Sequence, residues 1–136
     1  MGKIQRIGVL TAGGDCPGLN AVIRAVAKNA LSRYNIEVMG IEDGFLGLIQ
    51  NRMRLLNNES VSNILTLGGT ILGTNNKVAP RKYPVKVNGG TELRDVTDRC
   101  LEHIAHNSLD ALVVIGGDGS MTVTSDFVRL GITLLP

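Results

Sequence analysis

Short, continuously apolar runs alternate along this chain with longer stretches whose apolar residues recur every three or four positions. Ile7-Gly8-Val9-Leu10 reads as a buried strand ended by Gly13-Gly14-Asp15. From Gly18 to Tyr34, Leu19, Val22, Ile23, Val26, Ala30 and Leu31 follow helical spacing, with Arg24, Lys28 and Ser32 off that face. Val38-Met39-Gly40-Ile41 is a second strand, closed by Asp43-Gly44. The spacing of Leu93, Val96, Cys100, Leu101 and Ile104 predicts a helix over Glu92 to Asn107. Ala111-Leu112-Val113-Val114-Ile115 predicts a strand buried on both faces, running into Gly116-Gly117-Asp118-Gly119-Ser120. A helical stretch to Leu130 and a strand from Ile132 to Leu135 follow.

Strands that are apolar throughout, each followed by a glycine turn and a helix, predict an α/β fold of three layers. A mainly parallel sheet is then covered by helices on both faces. Gly68 to Gly90 has no clean period and holds Pro80 and Pro84, so it reads as a long loop with an Asn88-Gly89-Gly90 turn. The chain reads as a single domain over residues 1–136, with no repeat and no linker.

Composition narrows the chemistry. Hydrophobic residues make up 43% and charged residues 19%, which excludes a disordered polyelectrolyte. Glycine is abundant, 17 of 136, whereas there are two tyrosines, two phenylalanines and no tryptophan. Tight turns and close backbone approaches are therefore expected, and base-stacking surfaces are not. The net charge of +2 is too balanced to imply nucleic acid. No secretory, lipidation or membrane-spanning pattern is read, so no membrane partner and a cytoplasmic location are expected, with Cys16 and Cys100 as reduced thiols.

Two glycine clusters fall at the carboxyl ends of strands, where open parallel sheets bind ligands. Gly13-Gly14-Asp15-Cys16-Pro17-Gly18 leads into a helix, whose free N–H groups attract anions. The spacing of Gly13 and Gly18 is that of a P-loop, but Leu19-Asn20 stands where Lys and Ser/Thr are required, so that motif is excluded. A turn that needs glycine for geometry alone is the alternative. In the second cluster Asp118 sits among glycines. A carboxylate there would repel phosphate unless it holds Mg²⁺, which reverses the local electrostatics. The alternative is an ordinary turn or N-cap aspartate.

These motifs together resemble the 6-phosphofructokinase family. Ile7 to Ala21, Val38 to Leu48, Gly68 to Thr74 and Ala111 to Ser120 match it in order, so the resemblance spans essentially the whole chain from Ile4. It implies a Rossmann-like nucleotide-binding domain that holds ATP and Mg²⁺ at the glycine turns. The implied reaction moves the γ-phosphoryl group of ATP to the 1-hydroxyl of fructose 6-phosphate in glycolysis. By position, Gly14 resembles the nucleotide-contacting glycine and Asp118 the metal-associated aspartate, while Gly117, Gly119 and Ser120 match the phosphate turn. Glycine at 119 resembles the ATP-using branch; the diphosphate-using branch typically has aspartate there, adding bulk and charge in the path of the α-phosphate.

The departures from the family pattern are equally specific. Asn76 stands where many bacterial members place an arginine near the transferring phosphoryl group; Lys77, one position later, supplies the charge as a point without a bidentate fork. Both are carried as nucleotide-binding candidates, and together they resemble members with mixed or diphosphate donors. Arg24 and Lys28 match the basic pair of the nucleotide effector site, but no basic residue stands near Asn58, so a solvated helix face is the expected reading. The family's proton-accepting aspartate comes after a position equivalent to Pro136. No catalytic residue is assigned within 1–136, and the chain is expected to be an N-terminal part that is silent alone. Fructose 6-phosphate and homo-oligomer contacts would belong to the complete protein. A non-catalytic nucleotide-binding module is the other reading. His103 and His106 read as exposed helix polar residues, and Lys77, Arg81, Lys82 and Lys86 as a basic loop.

Overall fold

The computed structural model describes residues 4–12, 18–64, 69–75, 79–116 and 134–135. Strand β1 (Arg6–Thr11) leads to helix α1 (Leu19–Arg33) and strand β2 (Glu37–Ile41). Helix α2 (Phe45–Gln50), strand β3 (Met53–Leu56) and helix α3 (Asn58–Ser62) follow. Then come strands β4 (Tyr83–Val87) and β5 (Gly90–Arg94), helix α4 (Thr97–His106), β6 (Ala111–Ile115) and β7 (Leu134–Leu135).

Five strands form one sheet in the order β3-β2-β1-β6-β7. The β1–β2, β1–β6 and β6–β7 pairs are parallel, and among the described strands of this sheet only edge strand β3 runs antiparallel. Strand order thus turns back at β1: the chain leaves it towards β2 and returns on its other side as β6. Such a switch point opens a crevice at the carboxyl ends of the two strands.

Alternation along each strand fills both faces. Ile7, Val9, Val38, Ala111 and Val113 pack with Ile23, Ala27 and Ala30 of α1 and Val61 of α3. Leu10, Ile41 and Leu112 pack on the other face with Phe45, Leu48 and Ile49 of α2 and Cys100 and Ile104 of α4. The three-layer, mainly parallel architecture expected from the pattern is present.

Three local readings are corrected. Glu92 to Arg94 belongs to strand β5, and the helix begins only at Thr97. The Asn88-Gly89 turn, with Gly89 at φ 89° and Gly90 at φ 156°, folds β5 back on β4, from Tyr83↔Arg94 to Val87↔Gly90. The helical spacing of Leu93 is coincidental, and that side chain is 63% exposed on the hairpin. What read as one long loop is therefore partly a strand, with Pro84 tolerated in a two-stranded ribbon. Val22 is exposed as well, whereas Asn20 and Ala27 take buried positions on α1. Of the last predicted segment, Leu134–Leu135 pairs with Leu112 and Val113; Ile132, Thr133 and the helical stretch before them lie outside the described residues.

Candidate nucleotide site

The carboxyl ends of β1 and β6 lie side by side, in register from Ile7↔Ala111 to Thr11↔Ile115. The Ala12 amide donates to the Ile115 carbonyl at 2.7 Å, carrying the ladder to the edge where both glycine turns depart. Gly116 is exposed there. A third segment, residues 69–75, is laid over the same edge. Its Leu72 side chain is 2% exposed and belongs to the α1 face of the core.

Polar contacts fix that segment from several sides. Thr11 Oγ1 donates to the Gly73 carbonyl at 2.8 Å and lies 3.1 Å from Thr70 Oγ1. Asn20 Oδ1, in the first turn of α1, accepts from the Ile71 amide at 2.6 Å, and the Asn20 amide donates to the Gly69 carbonyl at 3.2 Å. The Asp43 amide donates to the Leu72 carbonyl at 2.8 Å, and Arg54 Nη2 to the Ile71 carbonyl at 3.2 Å. Gly44, at φ 64°, comes so close to β1 that a Cβ would stand 2.9 Å from the Thr11 carbonyl. Around this rim Arg52 pairs with Asp43 at 3.0 Å and Arg54 with Glu42 at 3.5 Å. These ion pairs are half solvated, so each adds little stability.

Gly14, Asn76, Lys77, Gly117, Asp118, Gly119 and Ser120, and also Cys16, lie outside the described residues. Their chain neighbours do come together. Ala12, Gly69 to Asn75 and Gly116 bound the three segments that carry them, joined by the Ala12–Ile115, Thr11–Gly73 and Asn20–Gly69 hydrogen bonds. The anion-attracting start of α1 already has its second amide committed to the Gly69 carbonyl.

Other candidates sit elsewhere. His103 Nδ1 donates to the Leu48 carbonyl at 2.7 Å, tying α4 to α2, while His106 is exposed on the same helix. Among the described residues no group of three His, Cys, Asp or Glu could hold a metal ion. Burial pushes the Cys100 thiol up to about 12, so it is an inert core side chain. Lys28 donates to Ser62 Oγ at 3.4 Å. Arg24 is half-buried, and its Nε has no hydrogen-bond partner among the described residues. A cavity of about 410 Å³ lies against α1, lined by Ile4, Ile7, Tyr34, Ile36 and Val113. It is apolar. No helix among the described residues is long and apolar enough to cross a membrane.

The phosphofructokinase family profile matches residues 6–135. The chain belongs to the phosphofructokinase family. It is 47% identical over 136 residues to ATP-dependent 6-phosphofructokinase 2 of Clostridium perfringens, covering 99% of this chain and 37% of that protein. It is 43% identical over 133 residues to ATP-dependent 6-phosphofructokinase 1 of Synechocystis, covering 96% and 36%. The chain thus spans a little over a third of the length of these phosphofructokinases. Its fold superposes on Pichia pastoris phosphofructokinase in the T-state with a TM-score of 0.80 at 30% identity, covering all of this chain and 14% of that one. A pyrophosphate-dependent phosphofructokinase from Marinobacter aquaeolei shares the fold at a TM-score of 0.70 and 16% identity, over 96% of this chain and 32% of the other.

Reading the sequence alone left Thr11 and Asn20 without a role, although both lie in the stretch that carries the family resemblance. The available signal was chemical: a threonine closing an apolar strand, and an asparagine between Leu19 and the next buried helix positions.

Proposed function

We propose that the whole protein transfers the γ-phosphoryl group of Mg-ATP to the 1-hydroxyl of fructose 6-phosphate. The observation that carries this reading is the switch point at β1 and β6, neighbouring parallel strands that end at one edge and are each followed in sequence by a glycine cluster. The relatives' names supply the donor class.

In this reading Gly14 and the Gly117-Asp118-Gly119-Ser120 turn hold the nucleotide phosphates through backbone N–H groups. Asn76 and Lys77 follow the third segment in sequence, Lys77 supplying positive charge. Asp118 is the residue suited to Mg²⁺. The described residues offer no cage of several carboxylates. Mg²⁺ is commonly bound by one or two carboxylates together with substrate phosphates and water. Bound there, Mg²⁺ would neutralise phosphate charge; the chain's own work is to position the donor and exclude alternatives to in-line transfer. The sugar site and the group accepting the hydroxyl proton are assigned to no residue of this chain. Soluble, cytoplasmic action as a homo-oligomer accords with the reading.

Asn76, where an arginine is usual, favours a second reading in which diphosphate also serves as donor. Purified whole protein should form fructose 1,6-bisphosphate from Mg-ATP and fructose 6-phosphate in a coupled assay. Gly119→Asp should shift donor use towards diphosphate. Product with diphosphate alone would favour the second reading, and product with neither donor would overturn both.

A further inference from the structure

Two uncharged polar side chains are buried at the edge where the glycine turns depart: Thr11 is fully buried and Asn20 is 2% exposed. They flank residues 13–17 in sequence, one closing β1 and the other in the first turn of α1. The β1 ladder is built from backbone groups, and no side-chain bond caps the start of α1. Both side chains reach across to the 69–75 segment, Thr11 to Gly73 and Thr70, Asn20 to the Ile71 amide. Leu72 already anchors that segment by apolar contact, beside Gly40 and Leu56. Apolar contact is non-directional, so it fixes depth but not orientation. Hydrogen bonds supply direction, and these come from two different elements, β1 and α1.

We propose that Thr11 and Asn20 are positioning residues for the donor nucleotide. They hold the 69–75 segment, which Asn76 and Lys77 follow in sequence, against the end of β1 and the first turn of α1. This rests on the reading of the edge as a nucleotide site. Because a hydroxyl and an amide make the ties, the segment is held without adding net charge where a polyanion and its cation meet.

The test uses the whole protein with Thr11→Val, which keeps the shape and removes the hydroxyl, and Thr11→Ser, which keeps the hydroxyl. Asn20→Leu and Asn20→Asp form the second pair, the aspartate retaining an acceptor for the Ile71 amide. Small misplacements of a binding group cost on the order of tenfold or more in productive binding. Thr11→Val and Asn20→Leu should therefore raise KM for ATP about tenfold and leave KM for fructose 6-phosphate within about twofold. Amide exchange at Ile71 and Leu72 should speed up in both variants. Thr11→Ser should restore the ATP affinity, a rescue that a purely structural loss of packing would not give. Should Asn20→Leu fail to fold, Thr11→Val decides alone. Unchanged ATP affinity in folded Thr11→Val, or equal losses for both substrates, would overturn the inference while leaving the proposed function standing. A wild-type protein that binds no nucleotide at all would overturn both.

Discussion

At the amino end of the sheet, the exposed carboxylate of Asp110 accepts from the Gln5 amide at 2.8 Å and the Arg6 amide at 3.1 Å. Arg6 in turn donates to the Asn107 carbonyl and pairs with Glu37 at 3.1 Å. At the carboxyl end the comparable work falls to the buried, uncharged Thr11 and Asn20, and among the described residues the ion pairs lie on the rim. Both ends join β1 to distant segments, but by different chemistry. Charge is cheap where water reaches it and nothing else must bind. Neutral ties suit the end proposed here to take phosphates and a cation, because they hold geometry without competing for either ion.

The most damaging change should fall at the carboxyl end. Asp118→Asn in the whole protein should lower kcat by about a hundredfold or more, since an amide is a poor Mg²⁺ ligand. Circular dichroism should stay unchanged. Near-normal, Mg²⁺-dependent activity would return Asp118 to the role of a turn residue.

Next in size is Gly44→Ala. Gly44 adopts φ 64° and ψ −138°, a region costly for any L side chain, and the new Cβ would press on the Thr11 carbonyl. A loss of about 1–3 kcal/mol is expected from urea unfolding. ATP affinity should fall too, because Thr11 would be displaced; loss of stability with unchanged affinity would weaken the link between β1 and the site.

Asp110→Asn should act only at the amino end. Backbone hydrogen bonds from Gln5 and then Arg6 hold the Asp110 carboxyl below the usual carboxylate range. A depressed carboxylate contributes stability above its unfolded value, near pH ~4, and loses it as pH falls through the folded value. The variant should be less stable near neutrality and show a flatter acid limb in stability–pH curves, with KM for ATP unchanged. An altered KM would break the separation between the two ends.

The smallest expected effect lies in the core between them. Burial raises the Cys100 thiol to about 12, so the folded state favours the neutral form. That contribution is whole below the ordinary thiol range and is lost as pH rises from there towards about 12. Cys100 should resist iodoacetamide at pH 8 until denaturant is added. Rapid alkylation of folded protein would show that α4 opens easily.

The sheet was legible because its strands are buried on both faces: Ile7 to Leu10, Val38 to Ile41 and Ala111 to Ile115 have few alternatives to a covered parallel sheet. The hairpin was not, because Leu93 fits a helical stripe by spacing, and only the Asn88-Gly89 turn and its pairing decide for a strand. The α2–β3–α3 stretch also escaped, being made of elements four to six residues long, too short for a period to show. For the proposed site, glycine clusters following two strands in sequence pointed to this edge. The third segment was found only as a motif, since its docking depends on Thr11, Asn20 and Asp43, which are distant in sequence. Long-range polar ties leave no periodic trace.

Hydrogen exchange of the whole protein with and without Mg-ATP tests most directly whether the carboxyl end of β1 and β6 is the nucleotide site. Peptides covering residues 12–20, 69–78 and 116–120 should exchange more slowly with nucleotide, while those covering 4–7 and 107–111 should not change. Protection confined to the amino end, or spread evenly over both ends, would contradict the account.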